Sequence, residues 1–535
     1  MCLLIECNYF CRMLKQICTL LILIPFVGMA QIDFPDYLGD YSLTPEQLEI
    51  IDLPVENMGT ESAELILHLP QLYGIHRPFS SPDSHLILAA GGRDTFRIHF
   101  QSDQNLDFDS YVFLEKLNEW ARPIEINAQV RYSNSYYSST FNKLEQDLKN
   151  SLHNLIDGHQ SLGYNSARDA MFMNIDNKKN NGQGASQNTL ECPYTGRQAI
   201  GYSNRQDAQN NFSFNTEHTY PQSMFGGSEP MKSDMYHLYP TDATSNSQRG
   251  NLPFGVVSNP SWTEGGSKKN SSAFEPRDQH KGPVSRAMMY FVIRYGNMSN
   301  FLSSQESILR SWHSSYLPDA AEQRRNDDIN ALQGNRNPFI DFPQFIERIN
   351  SLSRYSKRKS PELNAYPSIV ALDTIDRTDS IHIHLYNAGD TTLNNLNASA
   401  SNGSFNAHFS NTTLSMKQFI RCSFTPSKSG LLQDTIRINA EPSGSGQNTV
   451  VLSVYVRTPS SSLESKLEKL ELKDVFDGQF VHPPRGGTTL SLRDLNGRLL
   501  SISSNFDTDY LPRGMYFLQI EQDQESYSFK LPLLY

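Results

Sequence analysis

Residues 215–255, NTEHTYPQSMFGGSEPMKSDMYHLYPTDATSNSQRGNLPFG, concentrate the side chains able to do chemistry. Glu217 and His218 are adjacent, and Tyr220-Pro221 just after them ends any helix and favours extended chain. A loop follows, then a polar segment with Asp234, His237, Asp242, Asn246 and Arg249. Asn246 and Arg249 are three residues apart and share a face if that segment is helical. A carboxylate plus an amide oxygen suits a hard cation such as Mg²⁺ or Ca²⁺, which takes oxygen ligands and keeps several waters. A neutral histidine is a general base near neutral pH, and a guanidinium suits a phosphate. One metal, one base and one guanidinium are enough to hydrolyse a phosphodiester. Blander readings compete. An adjacent Glu-His pair is commonly a surface pair, and Tyr220, Met224, Phe225 and Tyr236 suit packing. His153 and His159 flank a helix end, where histidine satisfies terminal carbonyls. The sequence holds no HExxH, which excludes the common zinc-peptidase arrangement.

The elements that must position these groups lie between residues 132 and 357. Apolar residues recur at helical spacing in LEQDLKNSLHNLIDGH (144–159), VSRAMMYFVIRYGN (284–297), FLSSQESILRSWHSSY (301–316) and FPQFIERINSLSRY (342–355). On either side the texture is β. Residues 31–131 contain AELILHL (63–69), HLILAA (85–90), TFRIHF (95–100) and IEINAQV (124–130), and residues 365–457 contain SIHIHLYN, QFIRCSF, DTIRINA and TVVLSVYV. A weak internal pattern links the two. Asn57-Met-Gly59 precedes Phe79 and GGRDTFRIHF, as Asn387-Ala-Gly389 precedes Phe405 and SMKQFIRCSF. Both segments are expected to form sandwiches of immunoglobulin-like type.

The chain has 535 residues, which predicts several domains. Its formal net charge is −11 and its charged content is 19%, compatible with folded, water-soluble domains and not with a protein that coats nucleic acid over its whole surface. The acidity is uneven. Residues 132–357 hold 22 Lys plus Arg against 21 Asp plus Glu, a net of +1, leaving 24 against 36, a net of −12, for the rest. Anionic substrates are therefore not excluded from the centre.

Residues 1–30 read as an export signal whose true start is Met13, with Lys15 before ICTLLILIPFVG and Gly28-Met29-Ala30 before Gln31. The apolar run is too short to span a bilayer, so no transmembrane segment is expected in the mature chain. After Gln31 only Cys192 and Cys422 remain, in different domains, so neither a disulfide framework nor a CxxC metal site is expected. A Ser-rich linker (458–470) leads to residues 471–535, where three short strands are expected, joined through Asn496-Gly497 and Arg513-Gly514 turns. LRDLNGRLL (492–500), LPRGMYFLQI (511–520) and Lys530 resemble the C-terminal sorting domain of the type IX secretion route of Bacteroidetes. The usual opening Pro-Asn-Pro is replaced by His482-Pro483-Pro484, which leaves the start of that module open.

NTEHTYPQSMFG, PMKSDMYHLYPTDATSNSQRGNLPFG, FEPRDQHKGPVSRAMMYFVIRY and ALQGNRNPFIDFP, preceded by YYSSTFNKLEQDLKNSLHNLIDGH and the CPYTGR around Tyr194, resemble in order the motifs of the secreted bacterial endonuclease I family. That resemblance implies an α+β His-Me finger (ββα-metal) nuclease core. It places the general base on His218 and the metal ligands on Glu217 and Asn246. Arg249 and Asn251 match polar positions just after that Asn and are expected to bind substrate, and guanidinium chemistry assigns Arg249 a catalytic phosphate contact as well. Lys281-Gly282 and Arg286 match a motif without an assigned role. Gln333, Asn335, Arg336 and Asn337 match another, for which backbone anchoring is the simplest reading, with a substrate contact assigned to Arg336. Tyr236-His237 departs from members that read His-Asn, and His237 corresponds to members that read His-His.

The reading is a multidomain, exported or cell-surface protein that passes through the periplasm. It is expected to use Mg²⁺, with Ca²⁺ or Mn²⁺ as substitutes, and to cut DNA and RNA to 5′-phosphate products as a monomer. No sequence-reading motif is present, so binding is expected to rest on phosphates and to weaken with salt. The type IX machinery is its expected export partner. The competing reading is a surface binding or adhesion protein whose nuclease domain is secondary or inactive. One tension remains: adjacent residues of an ideal strand point to opposite faces, so Glu217 and His218 share a site only if the chain twists there.

Overall fold

The computed structural model describes residues 31–73, 76–357 and 360–457, together with strands 480–481, 489–493, 499–503, 506–507, 514–522 and 525–533. The export signal, the linker and His482-Pro483-Pro484 lie outside the described residues.

Between Ile32 and Val130 two sheets close on one apolar core. One runs Ile32–Asp33, Glu49–Asn57, Arg93–Phe100, Phe79–Ser80, and the other Tyr37–Leu43, Trp120–Val130, Ser110–Lys116, Ala63–His68, His85–Leu88. Alternation explains the packing: in Glu49–Asn57 the buried residues are Ile51, Leu53, Val55 and Asn57. Residues 363–457 repeat the plan with two four-stranded sheets around a second core. In each unit a leading strand pairs in parallel with the last, Tyr37–Leu43 with Trp120–Val130 and Ile369–Asp376 with Thr449–Arg457.

The Asn-x-Gly pattern has a structural counterpart. Asn57 Nδ2 donates to the carbonyls of Glu61 (2.7 Å) and Leu88 (3.1 Å), and its Oδ1 accepts from Gly59 N at 3.0 Å. Asn387 Nδ2 donates to Thr391 O (2.9 Å) and Leu414 O (3.0 Å), and its Oδ1 accepts from Gly389 N at 3.1 Å. Both amides are buried and stitch a turn to a second chain segment. The two units also touch, with Phe113, Ala121, Tyr366, Tyr386 and Ala388 in one apolar cluster and Ser110 Oγ 2.7 Å from Tyr386 OH.

The central region has its own core, from Tyr137 to Leu352. Helix α1 (Glu145–Ile156) buries Leu148, Leu152 and Ile156 at the spacing seen in the sequence. Helix α2 (Tyr164–Ala170) runs into a π turn at Met171–Ile175. Strand β1 (Phe214–His218) pairs antiparallel with β2 (Leu238–Asp242) without a register shift, and helix α3 (Ala243–Arg249) follows directly. Asp242 starts α3 by accepting from Thr244 N (2.7 Å) and Ser245 N (3.3 Å), and Gly250 ends it at positive φ. Helix α4 (Asp278–Tyr295) crosses the core. Its Gly282 leaves no room for a side chain, since a Cβ there would stand 2.3 Å from Tyr316 O.

Two expectations are corrected and one helix is new. The 342–355 segment does not form a helix; only a 3₁₀ turn over Pro343–Arg348 forms. Phe342 precedes a proline and is held at φ −138, ψ 81, outside the helical region. Helix α5 (Ala320–Gln333) was not foreseen, because its buried positions are Asn326, Ile329 and Gln333, so no apolar stripe marks it. The C-terminal sheet has four main strands rather than three, ordered Leu499–Ser503, Thr489–Arg493, Gly514–Gln522, Glu525–Leu533. Cys192 and Cys422 are both buried free thiols, in different cores. Among the described residues, no helix is long and apolar enough to cross a membrane.

Candidate active site

Glu217 and His218 end β1, and α3 lies against that strand end. Glu217 is 2% exposed. Its Oε1 accepts from Tyr194 OH at 2.9 Å and from Arg249 Nη1 at 2.8 Å, whereas no protein donor reaches Oε2 among the described residues. Burial pushes its carboxyl above the usual range, opposed by the Arg249 charge and the Tyr194 bond. Asn246 Nδ2 donates to Asn215 Oδ1 (2.8 Å) and to Thr216 O (3.3 Å), so its amide is tied to the strand one residue before Glu217. With the NH₂ group committed, Oδ1 is left for another partner.

His218 meets different neighbours. Its Nε2 lies 3.1 Å from Lys232 O, and a carbonyl only accepts, so Nε2 carries the proton and Nδ1 is the basic nitrogen. The ring sits 5.6 Å from that of Tyr164, 5.5 Å from His237 and 6.1 Å from Phe225, centroid to centroid. Burial, then the neighbouring His237, pulls its pKa down to about 3, so the imidazole is neutral at any ordinary pH. The partners of the Glu217 and His218 side chains do not overlap, as strand alternation requires. Arg249 is the link, for its Nη1 also donates to His218 O at 2.9 Å and its Nη2 to Thr219 O at 2.6 Å.

The geometry sets two arginines in surroundings that the sequence does not show. Arg249 is 1% exposed and gives its guanidinium to Glu217 and two main-chain carbonyls, so it braces the strand end instead of facing solvent. Arg336 donates to Asp341 through Nε and Nη2, both at 2.7 Å, and to Asp327 at 2.7 Å, so its charge is spent within the protein. Asn251 is exposed beyond α3 and makes no hydrogen bond among the described residues.

The remaining motif positions build the scaffold. Lys281 Nζ reaches Glu275 (2.9 Å) and Asp278 (2.8 Å), and Arg286 pairs with Glu322 while donating to Tyr316 O at 2.8 Å. Gln333, Asn335 and Asn337 anchor backbone: Gln333 Oε1 accepts from Met235 N, Asn335 Nδ2 donates to Ile156 O, and Asn337 Nδ2 donates to Arg286 O. Asp234 is a buried hub that accepts from Tyr290, Tyr295 and Gln333. Burial would raise its carboxyl, but His159, Arg294 and His237 together hold it below the usual range. His159 does not cap a helix; both its ring nitrogens are buried without a hydrogen bond, Nδ1 4.0 Å from Asp234. Tyr220 stacks on Phe291 at 4.0 Å, a packing role. His237 is buried beside His218, its Nε2 2.7 Å from Met231 O.

Among the described residues no group of three or more His, Cys, Asp or Glu could hold a metal. What the strand end offers is a sparser oxygen set, Glu217 Oε2 and Asn246 Oδ1. That set fits a hard cation that keeps most of its waters, and does not fit a thiolate or imidazole metal.

A β-hairpin whose second strand runs into a helix, with a buried carboxylate, an anchored amide and a neutral imidazole at one end, defines a hydrolase-type site. A family model described as Endonuclease I matches residues 144–344. An extracellular ribonuclease of Bacillus subtilis (strain 168) is 30% identical over 235 residues, covering 41% of this chain and 78% of that protein. An extracellular ribonuclease of Bacillus amyloliquefaciens is 30% identical over 236 residues, covering 40% and 78%. An extracellular deoxyribonuclease of Aeromonas hydrophila is 29% identical over 116 residues, covering 21% and 50%. The chain belongs to the endonuclease I family and is an endonuclease.

Proposed function

We propose that this chain is an exported, metal-dependent endonuclease that hydrolyses DNA and RNA without sequence preference, leaving 5′-phosphates. Its ββα-metal unit is β1, β2 and α3. The nuclease domain, residues 132–357, is carried between immunoglobulin-like domains at 31–131 and 365–457, with a type IX sorting domain at 471–535. The observation that carries the mechanism is the bond from His218 Nε2 to Lys232 O, which leaves Nδ1 as a base of fixed orientation.

His218 Nδ1 takes a proton from a water lined up with the scissile phosphorus. Glu217 Oε2 and Asn246 Oδ1 would hold the cation, which when bound supplies a Lewis acid for the charge that grows on the phosphoryl and leaving oxygens. Arg249 keeps the Glu217 carboxylate and the His218 main chain in register. The absence of a base-reading element, and relatives described as a ribonuclease and a deoxyribonuclease, support a substrate recognised by its backbone.

The test is a gel assay on plasmid and single-stranded RNA with Mg²⁺, with Ca²⁺ and with EDTA, beside His218→Ala. Metal-dependent cleavage of both substrates, lost in the variant, is expected. Cleavage that survives His218→Ala removes the assignment of the base, and cleavage in EDTA removes the metal.

A further inference from the structure

On the His218 side of β1 the fold gathers positive charge that the site above does not use. Helix α2 begins at Tyr164, whose ring faces His218 at 5.6 Å. Arg168 lies four residues along the same helix, so both side chains project on one face, and its guanidinium carbon is 4.1 Å from the Tyr164 ring centroid. From the loop before β2, Lys232 brings its ammonium to 4.8 Å from the same centroid. The carbonyl of that same Lys232 orients the His218 imidazole. Two cations from separate segments thus share one aromatic ring next to the catalytic base.

Neither cation is neutralised. Arg168 Nη2 donates to Asn165 Oδ1 at 2.6 Å, its Nε is buried without a partner, and no carboxylate pairs with Arg168 or Lys232 among the described residues. Of the acids nearby, Asp169 pairs with Arg205 at 2.6 Å, and Glu229, which accepts from Ser233 Oγ at 2.5 Å and keeps its charge, forms no ion pair with either cation among the described residues. This contrasts with Arg249, Arg286, Arg325 and Arg336, each of which meets a carboxylate of the protein. Burial, opposed by Tyr164 and reinforced by Arg205, leaves the Arg168 guanidinium with a pKa below its ordinary value. Like charges held together without a counter-charge are stabilised by an anion, and a polyphosphate backbone supplies one.

We propose that Arg168 and Lys232, supported on the Tyr164 ring, bind a non-bridging phosphate oxygen of the nucleic-acid strand beside the phosphate that His218 serves. The assignment rests on the nuclease reading. It gives to these two residues the anchoring first expected of Arg249 and Arg336. With both cations over its ring, Tyr164 holds charge in place instead of stacking a base, which makes this contact independent of sequence.

The experiment uses the full chain carrying His218→Ala, so that bound substrate survives. Affinity for a fluorescent single-stranded DNA and for its duplex is measured in EDTA across a salt series. Each phosphate contact contributes about 0.7 (single strand) to 0.9 (duplex) to the slope of log affinity against log salt. Adding Arg168→Met and Lys232→Met should weaken binding at low salt and flatten the slope by roughly 0.7 (single strand) to 0.9 (duplex), the worth of one phosphate, while Arg168→Lys, which keeps a charge, recovers most of it. Lys428→Met, at an exposed turn of the C-terminal sandwich, controls for net charge. With His218 restored, the loss should fall mainly on KM. Thermal melting of each variant checks the fold. A double variant indistinguishable from Lys428→Met overturns the cluster and leaves the nuclease standing if the unmodified chain still cleaves. No binding by the parent at any salt overturns the cluster, whereas the nuclease reading falls only if the unmodified chain cleaves neither plasmid nor RNA with Mg²⁺ or Ca²⁺.

Discussion

Arg249 Nη1 stands 2.8 Å from Glu217 Oε1, an ion pair in which both side chains are almost wholly buried. The same nitrogen holds His218 O, so one guanidinium fixes the carboxylate and the main chain of the neighbouring histidine. This gives Arg249 a structural consequence that a surface phosphate contact would lack.

Arg249→Met leaves the Glu217 carboxylate buried without its counter-charge, and removing one partner of a buried pair costs about 3–5 kcal/mol. Urea denaturation should show that loss, and Glu217→Gln added to Arg249→Met should recover part of it. Unchanged stability accompanied by a raised KM would return Arg249 to the role of phosphate ligand.

His218→Ala should lower kcat by roughly 10² to 10⁴, the usual worth of a positioned general base. Binding to DNA in EDTA should be nearly unaffected, because phosphate contact lies with other residues. Lys232→Met keeps the carbonyl that orients His218 and should retain far more of kcat than His218→Ala does.

Acid should destabilise the nuclease region before its carboxylates are protonated. Burial pulls His280 down to about 3 and His313 down to about 4, while the unfolded chain takes up these protons near 6.5. Their contribution is therefore complete above 6.5 and is lost as the pH falls from there toward 3 to 4. The urea midpoint should drop between pH values just above and well below that upper limit. His280→Phe, which keeps a ring between Tyr194 and Tyr239, should flatten the drop. A midpoint that is level across this window would contradict the burial of these imidazoles.

Asn57→Ala and Asn387→Ala each leave carbonyls inside a sandwich without a donor, at about 1–3 kcal/mol apiece. Differential scanning calorimetry should show each affecting its own β unit, with cleavage per folded molecule unchanged.

Much of the fold was legible because periodicity is local. The strands of both flanking units follow alternation, and α1 and α4 follow apolar residues at helical spacing. Where periodicity failed, a specific residue explains it. Pro343 stops a helix that the apolar residues of 342–355 suggested, and the polar burial of Asn326 and Gln333 hid α5. Tyr164 and Arg168 carry a local signal, an aromatic and a cation four residues apart, but Tyr164 meets His218 from 54 residues away along the chain.

The sequence alone determined which groups could do the chemistry, because Glu217 with His218, and Asn246 with Arg249, are each neighbours within one strand or one helical turn. It also determined the family, whose motifs are runs of contiguous residues. Only the tertiary structure decided which cations remain for a substrate. Arginine availability depends on the carboxylate the fold brings to it: Glu217 to Arg249 and Asp341 to Arg336, but none to Arg168 or Lys232 among the described residues. That is a property of long-range contact, since a guanidinium reads the same in sequence whether a buried acid or open water faces it.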